Sequence, residues 1–262
     1  MEALDVFDFL QNHAAVYLLM LTRITGIFMI SPFFGSMNIP PYIRMGAALF
    51  MSVVLFPLVD GLSGLKTPPT VIAYAGAVLV ELFIGWLIGF VSYVVLSAIH
   101  MAGKVMDMQA GFSIVNEMDP TSGQQSPLIG SFLYNLGIIV FLVTNGHHVL
   151  ITALVESFRA VPVLGMQWNP VVAELMVNFT NGIFATGVKI AMPVTFAILL
   201  TNVSLGILAR TMPQLNIFVV GIPLQIIVGI FVLGIMLPFY ILFLDVLFNE
   251  MYGNISIVLR AI

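Results

Sequence analysis

The chain has 262 residues, 60% hydrophobic and only 8% charged, with a mean hydropathy of +1.12; a soluble domain carries roughly a quarter charged residues, so a mostly solvated surface is excluded and membrane residence is expected. Eight Lys and Arg against twelve Asp and Glu leave a net charge of −4, which excludes a basic patch for phosphates and with it a nucleic-acid partner. With no Cys there are no disulfides, no thiol catalysis and no Cys-based metal or iron–sulfur site. The first residues, MEALDVFDF, are acidic and lack the basic region of a cleaved signal peptide, so they read as an amphipathic lead-in to the first helix. Apolar stretches follow at about 14–34, 45–59, 71–99, 128–146, 171–209 and 217–248. A spanning helix needs about 20 apolar residues, so two of these stretches are short and three are well over length. With no low-complexity tract or long linker, the chain reads as one helical unit, 1–262.

Single crossings by every stretch would put Lys66, Arg159 and Arg260 on one side and Arg44, Lys104 and Arg210 on the other. Orientation by positive charge needs an asymmetry, and this count is a tie. Arg23, Glu81 and Lys189 fall inside apolar stretches, and Asp245 lies near the end of the last. Each such charge costs roughly 2.5–3.5 kcal/mol at a bilayer centre on insertion scales. Pairing between helices within a protein assembly is one reading, and a polar conduit or proton path is another. Pro32, Pro57, Pro193, Pro223 and Pro238 interrupt the apolar segments, which survives where neighbouring protein supplies replacement hydrogen bonds. Gly85 and Gly89 (GWLIG) allow close helix approach, although one such spacing is also ordinary small-residue packing.

The polar run Gln109 to Pro127 (QAGFSIVNEMDPTSGQQSP) is the longest interruption of the apolar pattern. A long loop kept between membrane-type helices lines, closes or contacts something. Glu117 and Asp119 lie in it beside the turn-initiating Asp119-Pro120, where loop conformation explains them without a catalytic role. Met101, Met106, Met108 and Met118 flank or enter the run; thioethers fill irregular gaps in a core and also make a compliant seal. Further on, Asn145-Gly146 reads as a turn or helix C-cap, with His147 and His148 just beyond it. Consecutive helical residues point about 100° apart, so this pair lacks metal-pair geometry; capping is the simpler reading and a proton role the other. A second polar island, Arg210-Thr-Met-Pro-Gln-Leu-Asn-Ile-Phe218, separates two long apolar runs and reads as a hairpin tip. Pro213 stops the first helix there and Asn216 caps the second. Neither HExxH nor GxSxG occurs, so an intramembrane enzyme has no motif to stand on.

The ordered set Arg23, Pro32, Pro40, Arg44, Gly103, Gln109-Ala-Gly111-Phe112, Asp119-Pro120, Asn145-Gly146-His147, Pro162, Met192-Pro193, Arg210-x-x-Pro-Gln-Leu-Asn-x-Phe218 and Gly221-x-Pro223 resembles the FliR family across nearly the whole chain. These are small export-gate proteins of bacterial flagella and related type III secretion systems. The resemblance implies an all-α membrane protein of inclined helical hairpins, packed into a hetero-oligomeric helical ring in the bacterial inner membrane, within the flagellar basal body. A P-like front part, about 1–174 with a pore loop at 109–127, would be fused to a Q-like C-terminal hairpin at about 175–262. The implied partners are P-type and Q-type gate proteins, the B-type export switch, the A-type export component and unfolded export substrates. The implied pore plug comprises Gly111, Phe112, Ile114, Val115, Met118, Asp119 and Pro120, and the implied subunit contacts are Arg210, Pro213, Gln214, Asn216 and Phe218. No catalysis, cofactor or metal is implied. A small-molecule or ion transporter working through Arg23, Glu81 and Lys189 is the alternative, but paired broken helices at matching positions of two halves are not evident.

Overall fold

The computed structural model describes residues 2–36, 39–59, 68–112, 127–214 and 216–262. Among them are seven α-helices and no strand: α1 (Glu2–Ile30), α2 (Pro41–Leu55), α3 (Val71–Ala110), α4 (Leu128–Val143), α5 (Gly146–Ala160), α6 (Pro170–Thr211) and α7 (Ile217–Ala261). Each expected apolar stretch holds one of these helices, and α5 is added between two of them. At 1.5 Å per residue, α3, α6 and α7 are each about 60–67 Å long, roughly twice a hydrocarbon core. The expectation that prolines interrupt the apolar runs is met differently along the chain. Pro32 follows the end of α1 and Pro57 sits in a 3₁₀ turn, Phe56–Leu58, whereas Pro193, Pro223 and Pro238 lie inside continuous helices. One lost donor per proline is small against the hydrogen-bond ladder of a helix more than forty residues long.

Among the described residues, four helices are long and apolar enough to cross a membrane, with windows at His13–Ile30, Val71–Ala110, Pro170–Thr211 and Val219–Ala261. Helices α4 and α5 pass the same test only together, and they are bent by 67°. Asn145 lies at the bend with φ 59, a left-handed conformation that Asn tolerates better than most residues. It ends α4 as the sequence suggests, and it also starts α5: the His148 and Val149 amides donate to its carbonyl.

The chain divides into two compact units, 1–93 with 145–177 and 249–262, and 94–144 with 178–248. In the first, Val16, Leu19, Met20 and Ile24 of α1 and Ile84, Leu87 and Ile88 of α3 are buried. Glycines set how closely these two helices approach. A methyl group on Gly85 would fall on the Arg23 carbonyl oxygen, and one on Gly26 would lie 2.6 Å from the Leu82 carbonyl oxygen. The Gly85–Gly89 spacing is therefore the α1-facing edge of α3. In the second unit, Leu96, Ile99, Leu133, Phe141, Ile198, Leu244 and Phe248 form the core, with Phe141 and Phe248 edge to face at 5.4 Å.

Much apolar surface stays uncovered. Within the most apolar windows, 44% of α1 and 56% of α3 is buried by the chain itself, against 22% of α6 and 11% of α7. Phe184, Phe196 and Ile207 on α6, and Ile227, Phe231 and Phe239 on α7, are among the exposed side chains. Lipid or neighbouring protein must cover faces of this size.

Candidate functional site

The polar run 109–127 leaves α3 at Gly111, whose φ of +83° is the left-handed conformation that ends many helices and suits glycine. A Cβ there would lie 3.5 Å from Ile222 Cγ2 and 3.6 Å from Gln225 Oε1, so the exit of the run is seated against α7. Gln225 in turn donates from Nε2 to Asn202 Oδ1 on α6, a polar pair that joins the two helices. Phe112 is half-buried. Ile114, Val115, Met118, Asp119 and Pro120 lie outside the described residues, as does Glu117.

The run returns at Pro127, and its return end is fastened. Asp107 of α3 accepts hydrogen bonds from the Ile129 amide at 2.9 Å and the Gly130 amide at 3.0 Å, the second and third residues of α4. Asp107 is buried. Beside it α3 and α4 touch through glycines: a methyl group on Gly103 would fall on Gly130 Cα. Sequence reasoning passed over Asp107. Its signal was a carboxylate one turn before a helix-ending glycine, with a helix start lacking a local capping residue further along.

At the other island, α6 ends at Thr211 and α7 begins at Ile217. Arg210, Pro213, Gln214 and Asn216 are exposed. Asn216 stands at the capping position of α7, where the Val219 and Val220 amides donate to its carbonyl. Phe218 lies in the first turn of α7.

Two of the three charges noted inside apolar stretches meet. Arg23 Nε donates to Glu81 Oε2 at 2.6 Å, and both side chains are fully buried. Arg23 Nη1 donates to the Ser157 and Val161 carbonyls at 2.9 and 2.8 Å, at the C-terminal end of α5. Glu81 Oε1 accepts from the Leu164 amide at 3.0 Å, in a turn where Leu164 has φ 68. The guanidinium carbon also lies 4.5 Å from the Phe158 ring centroid. The pair thus ties α1 and α3 to the α5–α6 connection. Lys189 is exposed on α6. His147 and His148 stand in the first turn of α5 with ring centroids 4.4 Å apart, and among the described residues no group of three or more His, Asp or Glu could hold a metal.

The profile of Bacterial export proteins, family 1, matches residues 14–251. The flagellar biosynthetic protein FliR of Bacillus subtilis is 35% identical over 223 residues, 83% of this chain and 84% of that protein. The FliR proteins of Caulobacter vibrioides and Pectobacterium carotovorum are 33% and 30% identical, covering 84% and 92% of this chain and 87% and 91% of their own lengths. This chain belongs to the FliR family of bacterial export proteins.

Proposed function

We propose that this member of the export family is a structural and gating subunit of a flagellar type III protein-export channel, in which unfolded substrates pass a pore that the 109–127 loop helps to close. On this reading the chain works in the bacterial inner membrane, within the flagellar basal body. Its front part, about 1–174, is P-like and its back part, about 175–262, is a Q-like hairpin. P-type and Q-type gate proteins cover its apolar faces, and the B-type switch and A-type component act on the assembled gate. It carries out no chemistry of its own.

The observation that carries the gating part is the fastening of the return end of the polar loop, by Asp107 across to α4, with its exit at Gly111 lying beside α7. A loop so held can fill an opening without its base moving. The assembly part is supported by helices about twice the bilayer thickness whose surfaces the chain itself leaves bare. Among the candidate plug residues, Phe112, Ile114, Val115 and Met118 have the apolar bulk to seal and Gly111, Asp119 and Pro120 shape the turn. Arg210, Pro213, Gln214, Asn216 and Phe218 are the proposed contacts to neighbouring subunits.

The transporter alternative needs Arg23 and Glu81 to serve a path. Their bonds to each other and to the backbone of Ser157, Val161 and Leu164 support a structural role instead. Deletion of residues 111–123 tests the loop: the complex should assemble, and the membrane should become leaky to small ions. Unchanged conductance in a correctly assembled deletion contradicts the gating role.

A further inference from the structure

Every α-helix leaves its first N–H groups without an intrahelical acceptor, and a side chain just before the helix ordinarily caps them. In α4 that position is held by Pro127, and the helix has no capping bond from it. Asp107 supplies the cap instead, across sequence separations of 22 and 23 residues, with one carboxylate oxygen on the Ile129 amide and the other on the Gly130 amide. A buried carboxylate on the positive end of a helix makes charge-assisted bonds, stronger than those of a neutral cap.

The source of the cap matters as much as its strength. A capping residue within the approach to α4 would travel with that approach. A cap drawn from α3 fixes the first turn of α4 to the frame from which the loop departs. The joint is completed by Gly103 and Gly130, where backbone meets backbone with no side chain between. Asp107 stands one helical turn before Gly111, so the exit and the return of the loop are referred to the same stretch of α3.

We propose that Asp107 is a positioning residue for the pore loop: it caps α4 from α3 and so holds both ends of the loop at one place. Loss of the carboxylate then frees the first turn of α4, to which the loop returns, without removing any of the loop. This rests on the reading of 109–127 as the pore-closing loop.

The test uses the chain coexpressed with its partner proteins as wild type, Asp107→Ala, Asp107→Asn and the 111–123 deletion. Hydrogen exchange at the Ile129 and Gly130 amides reports the cap, and ion conductance of the cell membrane reports the pore. In Asp107→Ala the complex assembles, exchange at those amides speeds up roughly five- to thirtyfold, and conductance rises to between wild type and the deletion. Asp107→Asn keeps one acceptor oxygen but turns a donor toward the second amide, and falls between wild type and Asp107→Ala in both measurements. If Asp107→Ala fails to assemble, Asp107→Asn carries the same comparison. Unchanged exchange overturns the proposal, because α4 then does not depend on Asp107. Faster exchange with wild-type conductance, where the deletion leaks, also overturns it by reducing Asp107 to a helix cap. A deletion that does not leak overturns the pore-loop reading itself and the positioning role with it, while exchange still shows whether Asp107 caps α4.

Discussion

Arg23 and Glu81 stand 58 residues apart in the chain and meet as a buried ion pair with 2.6 Å between Nε and Oε2. Three backbone groups extend the network, the carbonyls of Ser157 and Val161 and the amide of Leu164. A charge that would be costly alone in an apolar stretch is thereby neutralised within one unit of the protein.

Removal of one partner leaves the other buried and uncompensated. Arg23→Met or Glu81→Leu should each destabilise the protein by about 3–5 kcal/mol, while the double substitution should cost less than the sum and recover part of the loss. Recovery is partial because the Ser157, Val161 and Leu164 backbone groups lose their partners. Thermal unfolding of the detergent-purified complex measures this, and additive single losses would contradict the coupling.

The glycines of the long helices divide into those under contact and those in the open. Gly85→Ala drives a methyl group onto the Arg23 carbonyl oxygen and should cost about 1–3 kcal/mol, seen as reduced yield and a lower melting temperature. Gly206 of α6 has no neighbour near its Cα, so Gly206→Ala should leave the fold intact and favour the helix by roughly 0.5–1 kcal/mol. Equal losses from both substitutions would contradict the α1–α3 packing described.

Arg210 is exposed in the last turn of α6, and Gln214 and Asn216 beyond it are also exposed. Arg210→Ala should weaken docking of neighbouring subunits and lower the yield of complex by several fold. Arg159→Ala, at the exposed last turn of α5, removes an equivalent charge and should not. Normal yield from Arg210→Ala would remove the island from the contact surface.

Apolar composition located every long helix, and the bounds of α6 to within two residues, but not the lengths of α3 and α7. Helix α3 continues through His100, Lys104 and Asp107, and α7 through Asp245, Asn249 and Glu250, because helical hydrogen bonding does not require apolar side chains. The bend at Asn145 was legible from Asn-Gly, whereas α5 was not, since its apolar residues are mixed with polar ones. The candidate site was legible as two polar islands. The long-range bonds were not: Arg23 to Glu81 and Asp107 to Ile129 join residues far apart in sequence, and nothing local marks such pairs. GWLIG announced close packing without naming its partner, which is the Arg23–Gly26 turn of α1.

The central claim is that this chain works as one subunit inside a hetero-oligomeric export gate, and the native mass of the protein purified in mild detergent after coexpression with its neighbouring genes tests it most directly. The expected result is a single copy within a large complex that also contains two other small hydrophobic proteins. A stable monomer or small homo-oligomer without those partners would contradict it.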